Sequence, residues 1–215
     1  MASESGTGPT LASLREAARD CRNCPLWQRA TQTVFGAGAA RARLLLVGEQ
    51  PGDEEDRRGL PFVGPAGRLL DQALEAAGID RGDAYVTNAV KHFKWKPAEG
   101  RGKRRIHEKP NAAEIRACRP WLLAEIAALD PRVIVCLGAT AARSLLGDTF
   151  RVTRQRGVPV VSTTGLHVVA TVHPSSILRA PDSETRRLEM QRFIDDLRVA
   201  QAMLAAPAQA PAPSP

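Results

Sequence analysis

Short apolar runs alternate with longer stretches of helical spacing along most of this chain. The runs are Arg43–Val47, Ala84–Asn88, Arg132–Leu137 and Val168–Val172. Each is too short for a helix and lacks the polar alternation of a half-exposed strand. Such runs read as strands of a parallel sheet buried on both faces. The intervening segments repeat their apolar residues at helical spacing. Thr10–Asp20 puts Leu11, Leu14 and Ala18 on one face, and Cys21–Pro25 ends it. Gly64-Pro65 opens a helix that carries Leu69, Leu70, Ala73 and Leu74 and stops at Gly78. Asn111, with Glu114 three residues on, caps a helix running toward Leu129, which Pro120 kinks or divides. Gly138 turns the third strand into the helix Ala139–Leu146, and Asp182–Leu204 is a long final helix.

Strands alternating with helices predict an α/β fold. The expected form is a three-layer α/β/α sandwich with a central four-stranded parallel sheet and right-handed crossovers. Residues 10–204 read as one domain. Residues 1–9 and the Ala/Pro-rich 205–215 read as disordered ends, and no internal repeat is present. In such a sheet Glu49, Asn88, Gly138 and His173 share one rim, at the carboxyl ends of the strands, where ligands bind. Lys91–Pro110 has no apolar periodicity and reads as a long loop, a kind that is usually functional in a compact domain.

Composition narrows the class. A chain of 215 residues with 43% apolar content can bury one sizeable core. No stretch has the apolar length of a membrane span, and Met1–Pro9 has no charged-then-apolar leader pattern. The expected location is the cytoplasm, on the nucleoid when DNA is bound. The net charge of +7 suits a polyanionic partner, and nucleic acid is the usual one. An arginine-rich composition explains much of that total, but less of the local cluster at Arg101–Lys109.

Four cysteines in a cytoplasmic chain argue against structural disulfides. Cys21 and Cys24 form a C-x-x-C, and Cys118 and Cys136 follow much later. Two close ligands plus two distant ones fit a metal or iron–sulfur site, and spacing does not separate zinc from 4Fe–4S. The bland alternative is a chance pair plus two buried thiols, since Cys136 lies inside an apolar strand.

The candidate chemistry gathers on the rim. Gly48-Glu49-Gln50-Pro51-Gly52-Asp53 brings two carboxylates into a loop where Gly48 lets backbone approach a substrate closely. Leu60-Pro61-Phe62-Val63-Gly64-Pro65 offers an aromatic face for stacking a base. Asn88 presents a donor and an acceptor side by side, a match for one pyrimidine edge. Lys103-Arg104-Arg105-Ile106-His107 places cations for phosphates beside a histidine. Those cations should depress the His107 pKa, leaving a neutral, nucleophilic ring. His173-Pro174-Ser175-Ser176 closes the fourth strand. His92 reads as a loop residue and His167 as lying on a strand's flank.

Together, Gly48–Asp53, Gly59–Gly64, Thr87-Asn88, His173–Ser176 and the four cysteines resemble the uracil-DNA glycosylase superfamily, closest to family 4. The resemblance runs from about Cys21 to Arg179. Gln50 departs from the small residue usual in family 4, and the Lys103–His107 insertion resembles the signature loop of the UdgX group, whose members cross-link to uracil-containing DNA. The resemblance implies a 4Fe–4S cluster on Cys21, Cys24, Cys118 and Cys136. It implies a monomer acting on uracil-containing DNA, single strands favoured. It implies that Phe62 stacks on a flipped uracil held by Asn88, with Gln50 and Gly48 shaping the pocket. His173 would stabilise the leaving uracil anion, and Glu49 and Asp53 the sugar cation. His107 would bond to deoxyribose C1′. Lys103, Arg104, Arg105, Ser175, Ser176 and Arg179 would grip the strand, with Ile177 and Leu178 wedged into the vacated stack. The rivals are a multiple-turnover family 4 glycosylase, a non-catalytic metal-stabilised nucleic-acid-binding module, and a redox iron–sulfur protein.

Overall fold

The computed structural model describes residues 8–98, 105–162 and 164–206. Helix α1 (Leu11–Ala18) starts at Thr10, whose hydroxyl accepts the Ser13 N–H. A short 3-10 turn follows at Pro25–Gln28. Then come β1 (Ala37–Gly38), β2 (Leu44–Gly48), α2 (Asp53–Arg58), α3 (Pro65–Ala76) and β3 (Ala84–Asn88). Two small strands, β4 (Trp95–Pro97) and β5 (Arg105–His107), precede α4 (Ala112–Leu129) and β6 (Val133–Leu137). The chain ends with α5 (Ala139–Leu146), α6 (Val152–Gln155), β7 (Pro159–Val161), β8 (His167–Thr171), α7 (Pro174–Leu178) and α8 (Ser183–Ala205).

The main sheet has six strands in the order β1-β3-β2-β6-β8-β7. The four expected strands form its parallel centre, while β1 and β7 add antiparallel edges. The four-stranded parallel expectation is thus corrected to a six-stranded mixed sheet. Neither edge carries a buried apolar run to announce it: β1 has two residues, and β7 begins at a proline and leaves Val161 exposed.

Register sets the rim. Gly48 pairs with Asn88, Val47 with Cys136 and Leu137 with Thr171. The residues that follow these pairs therefore emerge together. Alternate side chains divide the core into two layers. Leu44, Leu46, Val86, Val135 and Val169 pack against Leu70 and Leu74 of α3 and Phe193 and Leu197 of α8. Leu45, Val47, Ile134, Cys136 and Val168 pack against Leu122 and Ile126 of α4 and Ala141 and Ala142 of α5. Each fully buried Leu or Val contributes roughly 1.5–3 kcal/mol.

Pro120 does not divide α4, which runs unbroken. Pro120 lies on the solvent side, where water can serve the carbonyl it leaves unpaired. The long loop expected over Lys91–Pro110 is instead a buried start followed by an antiparallel hairpin, in which Trp95 faces His107. Its tip, including Lys103 and Arg104, lies outside the described residues, as do 1–7 and 207–215 of the expected disordered ends. No described helix is long and apolar enough to cross a membrane.

A polar cluster is buried under the rim. Glu125 of α4 is fully buried and accepts the Gly36 N–H at 3.0 Å and the Tyr85 hydroxyl at 3.0 Å. Lys91 pairs with it and also donates to Thr87 Oγ1 and the Asn88 carbonyl, both at 2.7 Å. Burial and the neighbouring carboxylate push the Tyr85 hydroxyl pKa far up, so it stays a donor.

Candidate active site

A cleft of about 890 Å³ opens on the carboxyl rim between the β2–α2 loop, the start of α3, the β5 hairpin and the β8–α7 turn. Glu49, Gln50, Asp53, Phe62, Asn88, His107, His173, Ser175 and Arg179 all line it. The topology has thus brought together side chains far apart in sequence.

Its inner wall is built on Gly48. A Cβ there would sit 2.3 Å from Asn88 Oδ1 and 2.6 Å from Phe62 Cζ. Only glycine lets the amide and the ring meet across this strand end. Phe62 is buried and its backbone has φ of 56°, the left-handed region that bulky residues avoid. Such strain persists where surrounding structure imposes it, often at functional sites. Glu55 holds the two loops together, accepting the N–H of Gly52 at 3.0 Å and of Gly64 at 2.7 Å. Asn88 is 2% exposed, and its Oδ1 has no hydrogen-bond partner. A buried acceptor left open at a cleft wall is expensive unless a ligand supplies the donor.

His173 stands opposite, its ring centroid 5.9 Å from that of Phe62. The Ser175 backbone N–H donates to Nδ1 at 3.2 Å, and Ser175 Oγ lies 2.8 Å from the same nitrogen. A backbone amide can only donate, so Nδ1 is an acceptor and the ring proton sits on Nε2. Burial, with the His107 and Arg179 charges, pulls the ring pKa down to about 4. His173 is therefore a neutral N–H donor at physiological pH.

The hairpin delivers His107 to the cleft mouth. Its Nε2 lies 3.7 Å from Glu49 Oε1, and its ring stands 6.1 Å from Phe93. Burial lowers its pKa, the Glu49 charge opposes that, and Arg179 adds to it. The direction matches the sequence expectation, but the leading cause is desolvation rather than the neighbouring cations. The other Glu49 oxygen, Oε2, accepts the hydroxyl of Thr140 on α5.

Two anchors hold the hairpin. Gln50 Nε2 donates to the carbonyls of Lys94 at 3.2 Å and Glu108 at 2.9 Å, and its Oε1 accepts the Lys94 N–H at 3.1 Å. Arg105 pairs with Asp53 and, at 2.5 Å, with the fully buried Asp56. Its guanidinium also lies 5.3 Å from the Phe93 ring centroid and 5.5 Å from that of Trp95. These contacts reassign three sequence expectations. Asp53 is occupied by Arg105 and Arg57 rather than presented to a sugar. Arg105 is turned inward, 11% exposed at its side chain, rather than toward phosphate. Gln50 braces the hairpin.

Ser176 Oγ donates to the His173 carbonyl at 2.7 Å. Leu178 and Arg179 line the cleft, but Ile177 is buried in the core and does not form part of a wedge. His92 is no surface-loop residue: it is buried, with Nε2 3.0 Å from Thr33 Oγ1. His167 opens β8 and is exposed.

The cysteines separate. Cys24 and Cys118 share one apolar cluster, and Trp121 Nε1 donates to Cys21 Sγ at 3.2 Å. Cys136 lies in the sheet core against α4 and α5, its thiol pKa pushed up to about 12 by burial alone. The structure brings three of the four thiols toward one place and leaves Cys136 out. Among the described residues no three His, Cys, Asp or Glu side chains are arranged to hold a metal ion. A four-cysteine cluster does not fit this arrangement.

Sequence reasoning missed Thr140, Glu55, Asp56 and the Lys91–Glu125 pair. Their neighbours in sequence give no sign of the distant groups they meet.

Residues 35–198 match the family model of the uracil DNA glycosylase superfamily. A type-4 uracil-DNA glycosylase of Thermotoga maritima is 40% identical over 177 residues, covering 82% of this chain and 87% of its own. A type-4 uracil-DNA glycosylase of Pyrobaculum aerophilum is 36% identical over 181 residues, with 80% and 86% covered. A type-5 uracil-DNA glycosylase of the same organism is 29% identical over 212 residues, with 90% and 86% covered. With the family model spanning most of its length and these cleft residues in place, the chain belongs to the uracil DNA glycosylase superfamily.

Proposed function

We propose that this protein excises uracil from DNA, acting as a monomer and favouring single strands, where no base pair must be broken. The observation that carries the reading is the open, buried Oδ1 of Asn88 beside Phe62 and across from the His173 N–H donor. A uracil stacked on Phe62 supplies what Asn88 lacks. Its N3–H donates to Oδ1, and its O4 accepts from the amide nitrogen. Cytosine presents the reverse pattern. As the glycosidic bond breaks, its electrons leave with uracil, and the His173 Nε2–H donates to the anionic O2. The Glu49 carboxylate faces the sugar that becomes a cation. In the hydrolytic course it also orients a water toward C1′. Arg179, Ser175 and Lys109, with Lys103 and Arg104 beyond the described residues, are the groups for phosphate.

The specific position of His107 favours a second, finer reading. Its neutral ring stands at the cleft mouth beside Glu49, on a hairpin tied down by Gln50 and Arg105. A tethered imidazole competes with water through its high effective concentration. Its lone pair would form the C1′–N bond as the C1′–N1 bond breaks, ending catalysis after one turnover as in the UdgX group. The similar type-4 enzymes support excision, and this capture is what the hairpin adds.

Single-stranded DNA with one deoxyuridine tests both. Free uracil is expected from the deoxyuridine strand and none from the matched cytosine strand. A denaturing gel is expected to show a slow protein–DNA band with the native protein and none with His107→Ser, which still releases uracil. Uracil release without a band would leave the hydrolytic course alone standing.

A further inference from the structure

The two oxygens of Glu49 have different surroundings. Oε2 accepts the Thr140 hydroxyl, and Oε1 faces His107 across 3.7 Å. Thr140 is 5% exposed and sits in the first turn of α5, two residues beyond the Gly138 bend that ends β6. Its own carbonyl accepts Ser144 Oγ at 2.8 Å, within the helix. The tether thus springs from a rigid element on a different strand connection from Glu49. A glutamate on an open rim has three side-chain torsions to order, and ordering them costs rotamer entropy. A hydroxyl donated to a carboxylate is a strong, short bond that selects one of those arrangements.

We propose that Thr140 is a positioning residue: it ties down Oε2 of Glu49 so that Oε1 alone is turned toward the reacting sugar. The proposal rests on Glu49 being the acting carboxylate, and it holds equally for hydrolysis and for capture by His107. Thr140 itself touches no reacting atom.

Thr140→Val keeps the shape and removes the hydroxyl, and Thr140→Ser does the reverse. Single-turnover uracil release is expected to slow about 10- to 100-fold in the Val variant, the cost of a misaimed group. The Ser variant is expected to stay within about threefold of native, and both variants to bind DNA carrying a stable abasic-site analogue as the native protein does. In a Glu49→Ala background, Thr140→Val is expected to cost less than about threefold, because the two residues act as a unit. A crystal structure of the Val variant gives a readout without activity: the carboxylate leaves its native place and its 3.7 Å approach to His107 is lost. A Val variant at native rate, a Ser variant as slow as Val, a full Val penalty without Glu49, or an unmoved carboxylate would each overturn the proposal. Native protein that releases no uracil would instead sink the glycosylase reading, and the Val structure then decides the tether by itself.

Discussion

A histidine ring that accepts a backbone N–H on one nitrogen has a single neutral form left, and at position 173 that form aims its proton into the cleft. The same burial that keeps the ring neutral has a measurable cost. His173 titrates near 4 in the folded chain, below the ordinary 6.5, and His92 and His107 are lowered in the same direction. The unfolded chain therefore binds more protons between about pH 4 and 6.5. Stability rises with pH across that window and is lost as pH falls through it. Thermal unfolding midpoints measured from about pH 4 to pH 7 are expected to show this slope, and His173→Gln to flatten it. The same residue should matter to rate. His173→Ala is expected to lower single-turnover uracil release about 10²–10³-fold, the usual cost of one oxyanion donor. At this scale much of the site was legible. Glu49, Phe62, Asn88 and His173 each follow a strand or sit beside Gly and Pro, a signal that survives in one dimension. Thr140 was not legible, because its partner lies ninety-one positions away and nothing local marks it.

The β4–β5 hairpin decides what happens after the base departs. Three-residue strands do not hold themselves together, and two-stranded ribbons are marginal in water. This one is held from outside, by the Gln50 amide and by Arg105 between Asp53 and Asp56. Arg105→Ala is expected to cut adduct formation at least about tenfold by releasing His107 from its place. Uracil release should fall by much less, since Asn88 and His173 stand on other elements. Band intensity and free uracil, counted in one reaction, separate the two effects, and equal losses would contradict this division of labour. The hairpin was unreadable in sequence because its strands are set by anchors, not by periodicity. The basic run did mark the right segment, but for phosphate contacts, whereas its arginine at 105 turns inward.

Across the whole molecule, the parallel centre of the sheet was readable because burial on both faces demands unbroken apolar runs, while the edge strands obey no such demand. The buried pair Lys91–Glu125 belongs to this scale. It links α4 to the turn after β3 through the Asn88 carbonyl, and its backbone touches Cys118, whose Sγ accepts the Lys91 N–H at 3.2 Å. Lys91→Met leaves the Glu125 charge buried and unpaired and is expected to destabilise by about 3–5 kcal/mol in urea unfolding. A loss under about 1 kcal/mol would mean that the pair is dispensable to the fold.

The measurement that bears most directly on the account is a count of free uracil released per protein molecule, with single-stranded uracil-bearing DNA in excess. The account expects uracil to appear, to stop at one per molecule with the native protein, and to continue past one with His107→Ser. A native protein that releases no uracil would contradict it.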